Sequence, residues 1–199
     1  MGRKIVIQKF EFKEFDLKDA YIIKPFYATD ERGGLIKDYN IDVFKEAGIA
    51  YDLKETFYTI SKANVIRALH FQLYKPQPKL MRCVSGRVFY VIVDLRPKSE
   101  TFGQYRHMEL NGDEPMCVLC PAGFGQGYLA LEDSVMSYKA AEVFYGAGDS
   151  GIMYNDPDIG IDWPFYLING KDNLIISEKD LNLMSFKQYK QQIQKERML

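Results

Sequence analysis

The sequence predicts an all-β protein, a β-sandwich or barrel, and three observations carry that reading. Short alternating apolar and aromatic runs recur along the chain. Glycine- and proline-rich turns separate them. Helical spacing is confined to one short segment before Gly48 and to the C-terminal tail. At 199 residues the chain is long enough for a substantial core in one domain.

Taken in order, Ile5 to Phe12 alternates loosely and reads as a strand, at a sheet edge or paired with a partner. Tyr21 to Pro25 is a second short strand. Asp30-Glu31-Arg32-Gly33-Gly34 is a turn with Arg32 at its tip, either a solvated arginine or a bidentate phosphate clamp. Asn40 to Gly48 is a short helix: Asn40 caps it, Phe44 anchors it and Gly48 ends it. Tyr51 to Ser61 is strand-rich and aromatic, and Val88 to Leu95 is the strongest strand and reads as central. Gly103 to Leu110 alternates and places His107 on an exposed face. Met116 to Leu119 is a strand, and Pro121 to Gly127 is a tight glycine-rich turn. Tyr128 to Leu131 and Val135 to Tyr145 follow as strands, and Asn155-Asp156-Pro157 and Trp163-Pro164 mark a loop. The tail from Glu178 to Leu199 has helical spacing through Leu181, Met184, Phe186, Tyr189 and Ile193, and is expected outside the β core.

Charge excludes some partners. With 26 basic and 27 acidic side chains the net charge is −1, so neither nucleic acid nor a membrane surface is expected. The start lacks a long apolar segment, and no run approaches transmembrane length, so a cytoplasmic location is expected. Cys83, Cys117 and Cys120 read as reduced thiols. Cys117 and Cys120 have CxxC spacing, but a strand puts them on opposite faces. No second Cys or His pair lies nearby, so no metal is expected.

Chemistry concentrates between Arg67 and Cys83. Alternation puts Ala68, His70 and Gln72 on one face of a strand and Arg67, Leu69 and Phe71 on the other. The two prolines of Tyr74-Lys75-Pro76-Gln77-Pro78 turn the chain, and Lys79 opens the next strand near where His70 left the last. An imidazole and an ammonium so placed could remove a proton and stabilise the negative charge left behind. A surface histidine and a solvated lysine at a hairpin would carry the same pattern.

With these residues in view, the sequence resembles the dTDP-4-dehydrorhamnose 3,5-epimerases, nucleotide-sugar epimerases with a cupin-like jelly roll. The matching stretches run in family order. They are Asp30-Glu31-Arg32-Gly33, Arg67 to Gln72, Lys79 to Cys83, Ser85 to Phe89, Val93 to Arg96 and Thr101 to Gln104. Pro121 to Phe124, Tyr138-Lys139, Asn155-Asp156-Pro157, Ile159 to Pro164 and Ser177 to Asp180 complete them. The resemblance covers roughly residues 20–182, leaving 1–19 as an N-terminal strand extension and 183–199 as a C-terminal helix.

The resemblance implies roles. His70 matches the family's catalytic base, Asp180 the carboxylate that orients it, Lys79 the lysine beside the keto oxygen, and Tyr138 the tyrosine that returns a proton from the opposite face. Arg32 and Arg67 match the arginines that hold the nucleotide's phosphates. It also implies a nucleotide-diphosphate sugar as substrate, no cofactor, a homodimer with N-terminal strand exchange, and a place in bacterial surface polysaccharide biosynthesis such as lipopolysaccharide or capsule. Histidine is suited to removing a proton beside a ketone near neutral pH, and a lysine in a dry site to stabilising the enolate.

The chain also departs from the family pattern. Gln126 stands where a histidine is usual, Tyr90 where an aspartate is usual, Val143-Phe144 where paired tyrosines are usual, and Glu55-Thr56-Phe57 where Gln-Asp-Asn is usual. The acid–base set is kept, while groups that read sugar and nucleotide differ, so Gln72, Tyr90, Gln126 and Phe144 join the expected substrate contacts. The expected activity is epimerisation at C3, C5 or both of a 4-keto-6-deoxy sugar. Alternatives are a single-carbon epimerase on a cytidine- or guanosine-linked sugar and a non-catalytic homologue that binds the nucleotide sugar. Tyr138 and the Asp180 motif argue against a ketoisomerase, and the histidine count argues against a metal-dependent dioxygenase.

Overall fold

The computed structural model describes residues 4–196. Strands β1 (Lys4–Ile7) and β2 (Phe10–Glu14) form an antiparallel hairpin rather than the single strand expected over Ile5 to Phe12. Gln8 and Lys9 both take positive φ, the geometry of a two-residue hairpin turn, and alternation running through the turn hides the break. Strand β3 (Tyr21–Lys24) pairs with β2. Strands β4 (Phe26–Asp30) and β5 (Gly33–Lys37) form a separate exposed hairpin with Arg32 at its tip. Helix α1 (Ile41–Glu46) starts where the Asn40 side chain accepts from Asp42 and Val43 N–H. It ends with Gly48 N–H donating to the Lys45 carbonyl and Ile49 N–H to the Phe44 carbonyl, with Gly48 at φ +80°.

Two larger sheets follow from β6 (Glu55–Ser61), β7 (Ile66–Gln72), β8 (Lys79–Ser85), β9 (Arg87–Asp94), β10 (Tyr105–Asn111), β11 (Cys117–Cys120), β12 (Phe124–Ala130), β13 (Ser134–Ala140) and β14 (Asp149–Gly151). One sheet has the order β1-β2-β3-β11-β8-β13-β6 and the other β10-β9-β12-β7-β14. They stack as a sandwich, one of the two architectures the sequence predicts, of the cupin-like jelly-roll type that the resemblance implies. Strands β7 and β8 lie in different sheets, so the two-proline loop crosses the sandwich instead of closing a hairpin. The glycine-rich turn stops at Gly123, where φ is +81°, and Phe124 already begins β12. Strand β13 ends at Ala140, short of the expected Tyr145.

Apolar residues fill three layers. Met81, Cys83, Val118, Cys120 and Met136 meet Val88, Tyr90, Ile92 and Tyr128 between the sheets. Helix α1 covers the outer face of the larger sheet with Phe44 against Phe10 and Phe12. The outer face of the smaller sheet takes Trp163, Phe186 and Tyr189 from the C-terminal segment. The tail therefore belongs to the core. Strand β9 is apolar on both faces, and a helix must cover the face turned away from the other sheet. That helix, α3 (Phe186–Glu196), follows a one-turn α2 (Glu178–Leu181); the expected residues 1–3 and 197–199 of the two terminal extensions lie outside the described residues. Cys117 and Cys120 face different layers, and both are buried.

Asp94, Arg82 and Trp163 hold the frame. Asp94 is buried and accepts from Arg96, Ser99 and Thr101 at the end of β9. Arg82 pairs with Asp38, and the Trp163 indole donates to the Tyr154 carbonyl at 2.7 Å.

Candidate active site

Strand β7 carries the first candidate side chains, and its register sets their direction. Gln126 of β12 pairs with His70, yet Tyr128 pairs with Arg67, so Ala68 and Leu69 together oppose Gly127 alone. This is a β-bulge. It turns Arg67 to the same side as His70, and both line one cleft, against the simple alternation that separates them. Gly127 makes the bulge possible. A Cβ there would lie 2.5 Å from the Ala68 Cβ and 2.6 Å from the Arg67 carbonyl oxygen.

The cleft has a volume of about 310 Å³, within the range of small-molecule sites. His70, Arg67 and Gln126 enter it from the smaller sheet, and Lys79, Tyr138, Phe57 and Thr59 from the larger one. The crossing at Tyr74 to Pro78 is what lets Lys79 face the side of the sandwich that carries His70.

The His70 ring is bonded through Nε2 to Asp180 Oδ2 at 3.1 Å. Asp180 sits on α2, whose cap Ser177 accepts the Asp180 N–H at 3.1 Å. Burial pushes the Asp180 carboxyl up, but the hydrogen bond and charge of His70, Ser177 and the Ala68 N–H outweigh it and hold the group below its ordinary value. The carboxylate so held fixes the ring and leaves its other nitrogen to accept a proton. Burial lowers the Lys79 ammonium from its ordinary value, against the opposing influence of Cys120, Asp149 and Glu55. A desolvated ammonium gains most from an anion placed beside it. Tyr138 stacks on Phe57 at 4.7 Å and 4°, which fixes its ring plane, and burial pushes its hydroxyl far above the ordinary tyrosine value.

The other expected contacts divide between the cleft and its surroundings. Tyr90 is buried beneath the cleft, where its hydroxyl donates to Gln126 Oε1 at 3.3 Å. Gln72 braces a loop, donating to the Lys75 carbonyl and accepting from Tyr145 N–H, both at 2.7 Å. Phe144 lines the cleft, its N–H donating to Glu55 at 2.6 Å. Arg32 is paired with Asp30 on its exposed hairpin, outside the cleft. Lys179 joins the cleft and pairs with Asp149. The sequence reading missed Thr59, Gln77 and Asp149. Alternation through Glu55, Phe57 and Thr59 carried a signal for the first; the other two carried none. Among the described residues no cluster suits a metal ion, and no helix is long and apolar enough to cross a membrane.

The family model described as dTDP-4-dehydrorhamnose 3,5-epimerase matches residues 14–188. A relative of that name from Methanothermobacter thermautotrophicus is 42% identical over 175 residues, covering 87% of this chain and 93% of its own. The crystal structure of a dTDP-4-dehydrorhamnose 3,5-epimerase from Elizabethkingia anophelis superposes with a TM-score of 0.83 at 36% identity, covering 90% of this chain and 97% of its own. A Legionella pneumophila 3,5-epimerase in complex with dTDP-4-keto-L-rhamnose gives a TM-score of 0.82 at 29% identity, covering 88% and 92%.

Proposed function

Because the chain belongs to the dTDP-4-dehydrorhamnose 3,5-epimerase family, we propose that this isomerase inverts C3 and C5 of a dTDP-linked 4-keto-6-deoxyhexose without a cofactor. One observation carries the reading: His70 and Tyr138 enter a single cleft from opposed sheets, with Lys79 in the same cleft. Inversion needs a base on one face of the sugar and an acid on the other. His70, backed by Asp180, takes the proton beside the ketone. The Lys79 ammonium stabilises the enolate oxygen. Tyr138 gives a proton to the opposite face. C3 and C5 flank the same carbonyl, so one enolate site serves both carbons. Arg67, at the same cleft, is placed to hold a phosphate.

The same reading makes the protein a homodimer. Strand β6 is a free edge of the larger sheet, with Tyr58 61% and Ile60 78% exposed. The β4–β5 hairpin stands apart from both sheets, and a lone two-stranded hairpin is marginal in water. A partner's N-terminal strands added to the β6 edge would cover these side chains and carry Arg32 of the partner subunit toward the cleft.

Deuterium wash-in tests the activity. The protein is incubated in D2O with dTDP-, CDP- and GDP-linked 4-keto-6-deoxy sugars, and C3 and C5 are followed by NMR with His70→Ala as control. Exchange at both carbons of the dTDP sugar is expected. Exchange at one carbon would replace this reading with the single-site one, for which Gln126 in the cleft is the supporting observation. No exchange with any of them would remove it.

A further inference from the structure

Lys79 is the first residue of β8, directly after the loop that crosses between the sheets. Among the described residues no ion pair anchors its ammonium. The two carboxylates whose charge reaches it are engaged elsewhere: Glu55 accepts the Phe144 N–H, and Asp149 pairs with Lys179. The place of the ammonium therefore follows from where the backbone at the start of β8 aims the side chain.

Tyr51 acts on that point from behind. It lies between α1 and β6, with its ring buried on the outer face of the larger sheet, 6.0 Å from the Phe44 ring. Leu80 belongs to the same layer, so Lys79, its neighbour along the strand, points the other way, into the cleft. The Tyr51 hydroxyl accepts the Leu80 N–H at 2.9 Å and donates to the Lys139 carbonyl. Leu80 and Lys139 are register partners, so the hydroxyl ties β8 to β13 where β8 begins. The Pro78 carbonyl lies 3.3 Å from the same oxygen, a longer second acceptor for its one proton, and takes the Ala141 N–H at 3.0 Å. Burial pushes the Tyr51 hydroxyl far above the ordinary tyrosine value, so it keeps the proton it donates. The Tyr39 hydroxyl donates to the Tyr51 carbonyl at 2.5 Å and fixes the backbone that carries the ring.

The Pro78 carbonyl belongs to the peptide before the Lys79 Cα, and the Leu80 N–H to the peptide after it. A residue's backbone has only two soft angles, and the planes of these two peptides define both. The Tyr51 hydroxyl touches both planes, so it sets the direction in which the Lys79 side chain leaves the strand. A phenylalanine would fill the same space and hold neither.

We propose that Tyr51 is a positioning residue for Lys79: from the far face of the sheet its hydroxyl fixes the two peptides that flank Lys79, and with them the place where the ammonium meets the enolate oxygen. The inference rests on Lys79 being the group that stabilises the enolate.

The test is Tyr51→Phe, made in the wild type and in Lys79→Met, with inversion of the dTDP-linked 4-keto-6-deoxy sugar followed by NMR. In the wild type it is expected to lower kcat about tenfold with KM little changed, the mark of a misplaced charge rather than of lost binding. In Lys79→Met it is expected to change kcat by less than about twofold, because the group it acts through is gone. The alkaline limb of the kcat profile moves to higher pH, since an ammonium no longer held in place regains water. The groups around it, Cys120, Asp149 and Glu55 with His70 and Tyr138 across the cleft, are left unaltered. A structural role alone would lower kcat by the same factor in both backgrounds, together with the melting temperature, and leave the limb in place; that result overturns the proposal. So does a wild-type kcat in folded Tyr51→Phe. Tyr39→Phe, which frees the Tyr51 backbone, shows the same pattern at smaller size. Should Tyr51→Phe fail to fold, the pattern in Tyr39→Phe supports the proposal and its absence overturns it. Lys79→Met alone separates the two levels. If it costs kcat while Tyr51→Phe acts equally in both backgrounds, only the positioning role fails; if it keeps kcat, the enolate assignment fails and the inference with it.

Discussion

The His70 ring and the Asp180 carboxylate meet at 3.1 Å although 110 residues separate them in the chain. The contact joins the smaller sheet to the segment that leads into the C-terminal helix. It places an ionised carboxylate behind the ring, where its charge would support an imidazolium in the proposed proton abstraction.

Asp180→Asn is expected to lower kcat roughly 100-fold or more with KM little changed, since the group touches the base and not the substrate. His70→Ala should abolish both wash-in and inversion. The folded Asp180 carboxyl lies below its ordinary value, so it stays ionised behind the ring down through the ordinary carboxylate range and loses its charge only as pH falls through the depressed value. Asp180→Asn should therefore show its full deficit from neutral pH down through the ordinary carboxylate range, as a pH–rate profile of both proteins will show.

Lys79→Met should separate catalysis from stability. Loss of the ammonium is expected to cost about 10²–10³ in kcat. Burial opposes the charge, so removing it should leave the melting temperature equal or higher. In the wild type the lowered amine loses its charge at a lower pH than an ordinary lysine, so activity should fall on the alkaline side earlier than a free lysine would allow. Scanning calorimetry and the pH profile of kcat check both arms.

Asp94 governs acid stability. Burial pushes its carboxyl up, but hydrogen bonds from Arg96, Ser99 and Thr101 win and bring it down to about 2. Against an unfolded value of about 3.9, this depression corresponds to roughly 2–3 kcal/mol of stability. It is present above about pH 4 and lost as pH falls towards 2. Asp94→Asn should lower the unfolding free energy by about that amount at pH 7, with the difference from wild type shrinking through that acid window, as measured by urea titration.

Gly127→Ala tests the bulge. The added methyl meets the Arg67 carbonyl and the Ala68 side chain inside contact distance, so β7 must shift. We expect a loss of roughly 1–3 kcal/mol in stability, the range for overpacking, together with reduced turnover because Arg67 and His70 lose their shared face. An unchanged kcat in a folded variant would count against the bulge as the device that aligns them.

Much of this was legible in the sequence because it is local. The continuous apolar run of Val88 to Leu95, the Asn40 cap and the Gly48 stop state their conformations within a few residues. The types of residue suited to the chemistry were legible too, with His70, Lys79 and Tyr138 standing in stretches that resemble one family. Contact across the fold was not. The hairpin at Gln8-Lys9 hid because its turn residues kept the alternation. The two-proline loop announced a turn but not that it crosses between sheets.

The sequence by itself determined an all-β sandwich or barrel, its short capped helix and the kind of chemistry the chain carries, because hydrophobic period and residue type act over a few neighbours. Only the tertiary structure decided that Arg67 and His70 share a face and that Tyr90 lies beneath Gln126. Those outcomes depend on register between strands far apart in the chain. A single extra residue in β7 opposite Gly127 reverses a side chain's direction without leaving any mark on the local pattern.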